Sequence, residues 1–301
     1  MSRIFHLVAA QRAPVPYDLD ATWDLFESAV RRLVMRAPHL DLIVFPELFL
    51  SAQGTLGDPY PAGWERQVAQ PVPGPLTERI GALAREMAIW LVPGSIYERN
   101  GDLVHNTALA FAPDGSLVAR YRKIFPWMPY EQTDPGDEYT TFDIPGIGRF
   151  GLAICYDGWV PEIIRTLAWM GAEVIIQPTL TQTVDREQEV VLARANAIVN
   201  QVYVVNPNYG RLLGTGRSVV VDPEGRVMAE GGSGEEYLSV RLDLDLVAAA
   251  REYGTAGLNT AWKQLRDFPP PPFPQYRDGF AAGAVMEGLG PLRRKPRRSG
   301  A

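Results

Sequence analysis

The chain of 301 residues has one cysteine and three histidines. A single cysteine excludes an intramolecular disulfide framework and favours a reducing compartment. The histidines, His6, His39 and His105, are scattered and show no ligand spacing with one another or with the cysteine, so no metal site is expected. No stretch reaches the roughly 18 consecutive apolar residues of a membrane-spanning helix. The opening "MSRIFHLVAAQRAP" has an apolar run broken at Gln11 and Arg12, too short for a secretion signal. An excess of positive charge is also missing: the formal net charge is −6. General nucleic-acid binding rests on neutralising phosphates with Lys and Arg, so it is not expected. The exception is local, "RRKPRR" at Arg293–Arg298, read as a solvated basic tail or an interaction segment. These absences together predict a soluble, cytoplasmic protein without nucleic-acid or membrane partners.

What is present is an ordinary globular composition, with 46% hydrophobic and 21% charged residues. The length allows one large domain or two small ones. Apolar runs of strand length alternate with helical periodicity, which predicts a layered α/β fold. Strands are expected at Ile4–Gln11, Leu40–Glu47, Ile89–Ile96 and Arg149–Cys155, and at "AEVIIQP" and "VYVVNPN". Helices are expected at Asp20–Ala37, Leu76–Ala88, about Pro161–Met170 and about Val184–Gln201. Turn-forming residues at Pro113–Ser116 and Pro223–Gly225 predict two hairpins. The same order of elements occurs on either side of residue 145, which predicts two similar halves, each with helices on one face of a sheet. "FPPPPFPQY", with five prolines in nine residues, cannot continue a helix or a central strand. Residues 1–267 are therefore read as the folded domain and 268–301 as a proline-rich arm.

Cys155 is the singular residue. It ends an apolar run and precedes "YDGW", after which Pro161 opens a helix. It can be a small core residue, since free cysteine is often just that. A strand-to-helix turn can also expose a nucleophile and aim backbone N–H groups at a developing oxyanion. No histidine lies in a convincing context to serve as its base. Glu47 and Lys123 do: each, like Cys155, is expected at the C-terminal end of a buried strand. A charge there is costly unless it is paired or functional, and in open α/β sheets those ends line the ligand crevice.

The segments "VFPELFL" at Glu47, "YRKIFPWMPYE" at Lys123 and Glu131, and "AICYDGWVPEIIR" at Cys155 resemble the signatures of the nitrilase superfamily of carbon–nitrogen hydrolases in order and spacing. The resemblance covers about residues 4–255 and implies an α-β-β-α sandwich. It implies a Glu47–Lys123–Cys155 triad that works through a cysteine thioester, without cofactor or metal. Glu47 would be the general base and Cys155 the thiol nucleophile. Lys123 would stabilise the oxyanion with the backbone N–H of Tyr156. Glu131 would orient the site; its alternative reading is a surface carboxylate in a polar loop.

Asp157, Glu162 and Arg165 are read as support for the cysteine turn. Typical nitrilases place Trp-Glu after the cysteine, whereas this chain has Tyr156–Asp157. The expected substrate is a small amide, with an N-carbamoyl amine or amino acid as the alternative and a nitrile after that. A catalytically silent oligomeric scaffold is the non-enzymatic alternative. Trp127, Tyr130, Trp159 and Thr179 are expected to border the pocket, with Arg186 or Arg211 as candidates to hold a substrate carboxylate. The family resemblance further implies a homodimer or larger homo-oligomer.

Overall fold

The computed structural model describes residues 2–55, 61, 63–128, 130–210, 213–268, 288 and 290. Its first half runs β1 (Ile4–Gln11), α1 (Leu19–Arg36), β2 (Leu42–Val44), α2 (Trp64–Val68), α3 (Pro75–Met87) and β3 (Trp90–Val92). The strands β4 (Ser95–Asn100), β5 (Leu103–Phe111) and β6 (Leu117–Arg122) complete it. The second half runs β7 (Thr141–Ile144), β8 (Gly148–Leu152), α4 (Pro161–Trp169), β9 (Val174–Ile176), α5 (Arg186–Asn200) and β10 (Tyr203–Asn206). It closes with β11 (Val219–Val221), β12 (Val227–Glu230), β13 (Glu236–Asp243), α6 (Asp245–Tyr253) and α7 (Ala261–Asp267).

The helices form where their ends and faces require. The Asp18 side chain caps α1 by accepting the Ala21 N–H, and Trp23, Phe26, Ala29 and Val30 give that helix one buried face. Proline opens both α3 and α4, where its missing N–H costs nothing.

The strands build two sheets ordered β13-β1-β2-β3-β5-β4, with β6 on β5, and β12-β11-β10-β9-β8-β7. In the first, β1, β2 and β3 are parallel and β5 runs antiparallel to β3. In the second, β8, β9 and β10 are parallel and β11 runs antiparallel to β10. An antiparallel strand flanks each triplet, β13 on β1 and β7 on β8. The two halves therefore repeat one topology.

Period-two alternation sorts the side chains into layers. Leu42 and Val44 point into the space between the sheets and meet Phe150, Leu152, Val174 and Val205. Ile43 points the other way, into a core with Phe26, Val30, Ile80 and Leu83. On the far side, Ile175 and Val204 pack under Ile163, Leu167, Ala193 and Ala197. Helix, sheet, sheet and helix stack in that order, and each fully buried side chain of this size contributes about 1.5–3 kcal/mol.

Several boundaries differ from expectation. The run 40–47 forms a ladder only at Leu42–Val44. Phe45 still donates to the Val92 carbonyl, and Pro46 has no N–H to continue. The run 89–96 is two strands, broken at Pro93-Gly94. Gly94 has φ +86° and lies against Pro46, where a Cβ would stand 1.7 Å from the Pro46 carbonyl oxygen. The strand expected to end at Cys155 ends at Leu152, and the helix expected from Val184 starts at Arg186. The elements α2, β7, β13, α6 and α7 were not anticipated. β13 is a half-polar edge strand in which only Leu238, Val240 and Leu242 are buried, yet it pairs with β1 along all eight residues. The proline-rich arm and the basic tail lie outside the described residues, apart from positions 268, 288 and 290.

Candidate active site

Glu47 leaves β2 through Phe45 and Pro46, and Leu48 after it adopts a left-handed φ of +53°. The Leu48 N–H is held by Ser95 Oγ at 2.9 Å. This fixes the Glu47 carboxylate, only 3% exposed, between three donors. Its Oε1 accepts from Lys123 Nζ and from Asn106 Nδ2, both at 2.8 Å, and its Oε2 accepts from the Leu180 N–H at 2.8 Å.

Lys123 follows β6 directly and is 1% exposed. Its Nζ also donates to Glu131 Oε2 at 2.5 Å, so one ammonium sits between two carboxylates. Glu131 is held further by the Trp127 N–H at 3.0 Å, Thr133 Oγ1 at 3.0 Å and Asn106 Nδ2 at 2.8 Å. Asn106, on β5, thus ties both glutamates together. It went unread in the sequence, although a signal was there: an Asn inside the apolar strand "LVHNTALAF" must find partners.

Cys155 opens a 3₁₀ turn, Cys155–Trp159, with a φ of +44°. A side-chain-bearing residue in the left-handed region is strained and persists only where its surroundings hold it. Here the Cys155 N–H donates to the Pro178 carbonyl at 2.9 Å, and Gln177 Nε2 donates to the Cys155 carbonyl at 2.8 Å. Gly158 makes room for Gln177; a Cβ there would stand 2.2 Å from Nε2. Asp157 accepts from the Ile154 N–H at 2.8 Å, the Phe125 N–H at 3.0 Å and Tyr121 Oη at 2.8 Å. It therefore clamps the cysteine turn to the segment carrying Lys123. Glu162 lies in the first turn of α4, and Arg165 lies over the Trp169 and Trp262 rings.

Electrostatics divide the two glutamates. Burial pushes the Glu47 carboxyl up, and Lys123, which pulls it down, does not cancel that while Glu131 adds to it. Burial opposes ionisation of Glu131 as well, but Lys123 outweighs it and the carboxyl lies below its usual range. Burial also opposes the Lys123 charge, and Glu131 and Glu47 overcome it, holding the ammonium well above its usual range. The Cys155 thiol is pushed well up by burial and then by the negative charges of Glu47 and Glu189. Glu131 is thus the standing counterion of Lys123, and Glu47 is the carboxyl that readily takes a proton.

Glu47, Lys123, Glu131 and Cys155 line one cavity of about 390 Å³. Its other walls include Gln53, Tyr97, Trp127, Tyr130, Leu180 and Gln182. Trp127 and Tyr130 lie in the cavity wall with ring centroids 4.5 Å apart. Two expected residues do not line it. Thr179 is fully buried and bonds to Gln177 and Asn206, while Trp159 stacks on Tyr156. Arg186 is also displaced from its expected role: it is 2% exposed and ion-paired to Glu189 at 3.0 Å behind the cysteine. Arg211 lies outside the described residues. Glu189, unread in the sequence, places Oε1 3.9 Å from Cys155 Sγ. Among the described residues no His, Cys, Asp and Glu group is arranged for a metal ion, and no helix is long and apolar enough to cross a membrane.

The sequence model of the carbon-nitrogen hydrolase family matches residues 7–252. Omega-amidase NIT2 of Homo sapiens is 32% identical over 227 residues, which are 70% of this chain and 79% of the relative. The crystal structure of Nit3 of Saccharomyces cerevisiae, a member of branch 10 of the nitrilase superfamily, superposes with a TM-score of 0.74 at 30% identity, covering 83% of this chain and 93% of that one. A cysteine-to-alanine variant of the amidase from Nesterenkonia sp. AN1, solved with butyramide, superposes with a TM-score of 0.71 at 26% identity over 83% and 95% of the two chains.

Proposed function

The chain belongs to the carbon-nitrogen hydrolase family, in its amidase-like branch, and acts on amides; we propose that it hydrolyses a small linear carboxamide through Glu47, Lys123 and Cys155, by a cysteine thioester and with release of ammonia. The observation that carries this reading is the sharing of Lys123 Nζ between Glu47 and Glu131 in the cavity that also exposes Cys155.

The buried thiol is not ionised at rest, so its proton must leave as the sulfur attacks. Glu47, whose affinity for protons burial has raised, takes it. The new C–S bond pushes the carbonyl π pair onto oxygen, where Lys123 Nζ and the Tyr156 N–H stabilise it. Tyr156 is the second residue of the 3₁₀ turn, so its N–H precedes any acceptor within that turn. Collapse breaks the C–N bond, and Glu47 returns the proton to the departing amine. Glu47 then takes a proton from water as the water oxygen attacks the thioester; the C–S bond breaks, Glu47 returns that proton to the departing sulfur, and the carboxylic acid formed loses its own proton to solvent. Glu131 keeps the Lys123 ammonium charged and aimed throughout.

The walls suit a short amide with an apolar portion: Trp127, Tyr130, Tyr97 and Leu180 give apolar surface, and Gln53 and Gln182 give hydrogen bonds. Butyramide, bound by the Nesterenkonia amidase, is such a molecule. The N-carbamoyl amino acid alternative loses one support, because the Arg186 charge is engaged by Glu189. In this reading residues 1–267 are the hydrolase domain, and the enzyme works in the cytoplasm as a homodimer or larger homo-oligomer. The apolar side chains of Val191, Ile198 and Val199, exposed on α5, support subunit contact. The test is ammonia release from a panel of amides, N-carbamoyl amino acids and nitriles, with carbon dioxide assayed in parallel. Ammonia from butyramide without carbon dioxide, lost in Cys155→Ala, supports the amidase; ammonia accompanied by carbon dioxide moves the assignment to the carbamoyl substrate.

A further inference from the structure

The mechanism above uses one carboxylate beside the nucleophile, and the structure holds two. The one within hydrogen-bond reach of the sulfur is Glu189: Cys155 Sγ lies 3.9 Å from its Oε1. The other carboxylate oxygen is already engaged. Oε2 accepts from Thr181 Oγ1 at 2.5 Å and from Arg186 Nη1 at 3.0 Å. Those donors are themselves fixed. Asn208 brackets the Thr181 backbone, accepting its N–H at 2.8 Å and donating to its carbonyl at 3.1 Å. Arg186 Nη2 donates to the Arg217 carbonyl at 2.8 Å. Oε1 is therefore held toward the thiol by a buried frame built from α5, the Thr181 loop and the strand end beyond β10.

Such a frame is expensive. Taking an Arg–Glu pair out of water costs several kcal/mol per ion, and apolar residues of equal volume are often at least as stable. A first-turn glutamate suits the α5 dipole without being buried, as the neighbouring exposed Glu187 shows. Helix stability alone does not account for a buried carboxylate turned onto a sulfur atom.

We propose that Glu189 is a positioning residue for the nucleophile: it accepts the S–H of resting Cys155 and holds it as a neutral thiol until an amide occupies the cavity. The groups facing the sulfur are Glu47 beyond β2, Lys123 beyond β6 and Glu189 on α5, with Glu131 behind Lys123 and Arg186 behind Glu189. Asp157, on the same turn, is directed to Tyr121 and the Phe125 amide. Two carboxylates against one ammonium disfavour a thiolate. When substrate enters, rotation of the S–H toward Glu47 starts the reaction, and the neutral thiol is spared alkylation and oxidation while it waits.

This rests on Cys155 being the nucleophile, and the test separates the two claims. Cys155 is the only cysteine in the chain, so iodoacetamide uptake reports on it alone. The rate of alkylation of the full-length enzyme is followed against pH for the wild type, Glu189→Gln and Glu189→Asp, with thermal melting to confirm folding and steady-state kinetics on the best amide. Glu189→Gln removes the charge and keeps the shape, so alkylation at neutral pH is expected to quicken roughly tenfold for each unit by which the profile moves to lower pH. Its kcat is expected to fall with little change in KM. Glu189→Asp withdraws the carboxylate from the sulfur by one methylene and is expected to move the profile the same way by less; it serves if the Gln variant does not fold. A purely structural ion pair would lower the melting temperature and leave the alkylation profile where it was. Profiles of both variants that superimpose on the wild type would overturn the proposal. Complete alkylation with activity retained would instead overturn the assignment of Cys155 as nucleophile.

Discussion

The strands β1 and β8 occupy the same place in two repeated sheets, each the first of a parallel triplet flanked by an antiparallel strand. Their ends behave differently. At the end of β1, Gln11 is fully buried and satisfied: its Nε2 donates to the Gly232 and Gly234 carbonyls, and its Oε1 accepts the Ser218 N–H. Past the end of β8, the chain turns through a left-handed cysteine. The next pair of strands contrasts as well. Beyond β2 stands the buried charge of Glu47; beyond β9 stands Thr179, neutral and hydrogen-bonded within its own half. One topology thus yields two kinds of strand end. The first half contributes the Glu47 and Glu131 carboxylates and the ammonium, and the second contributes the sulfur and the strained turn that presents it. The candidate site lies where the two meet, and there Asp157 and Leu180 tie the second half to the first.

The contrast breaks most completely at the sulfur. Cys155→Ala is expected to lower kcat by a factor on the order of 10⁴ or more while the fold persists, measured by ammonia release alongside circular dichroism. Glu47→Gln should cost roughly 10²–10⁴-fold in kcat by removing the general base. Because Glu47 must be ionised to accept the thiol proton, and burial raises its pKa, wild-type kcat/KM is expected to fall as pH drops, beginning above the usual carboxylate range. Lys123→Met should cost roughly 10²–10³-fold through the oxyanion. It also strands two buried carboxylates, with about 3–5 kcal/mol lost in denaturant unfolding.

The smaller effects sharpen the comparison. Gly94→Ala and Gly158→Ala test the supports of the two halves separately. Gly94 has a positive φ and a rigid backbone carbonyl in the way, so its alanine variant should be the more destabilised. Gly158 faces only the end of the Gln177 side chain, so that variant should retain most stability and lose activity through the cysteine turn.

Asp157 gives the mildest test. Burial pushes its carboxyl from 3.8 up to about 6, against the opposing pull of Lys123 and of its hydrogen-bond donors. The folded state thus binds this proton more tightly than the unfolded state does. The stability gained from it, on the order of 3 kcal/mol, is full below the unfolded value and lost as pH rises through about 6. In Asp157→Asn the difference in unfolding free energy from wild type should vary across that window and be flat above it.

The residues legible in the sequence are those with no packing reason to be where they are. Glu47 and Cys155 each follow an apolar run and Lys123 follows the strand segment "LVARYR", so local context alone marks them out. Their supporting partners were hidden by distance. Asn106 meets Glu47 across 59 positions, and Glu189 meets Cys155 across 34. Arg186 and Glu189 read as ordinary charges on a helix, and only tertiary packing makes them a buried pair. Strand ends were drawn too long because the apolar pattern outlasts the ladder: Phe45, Ala153 and Ile154 are buried without belonging to a strand. The strand β13 was missed for the opposite reason, since half of its residues are polar and its partner is β1, at the other end of the chain.

The central claim is a thioester on Cys155 formed with the help of Glu47 and Lys123. Intact mass spectrometry of the enzyme quenched in acid during turnover of butyramide tests it most directly. The account predicts an adduct of one butyryl group on the wild-type chain, ammonia appearing before butyrate in the first turnover, and neither in Cys155→Ala. Ammonia released at an undiminished rate by Cys155→Ala would contradict it.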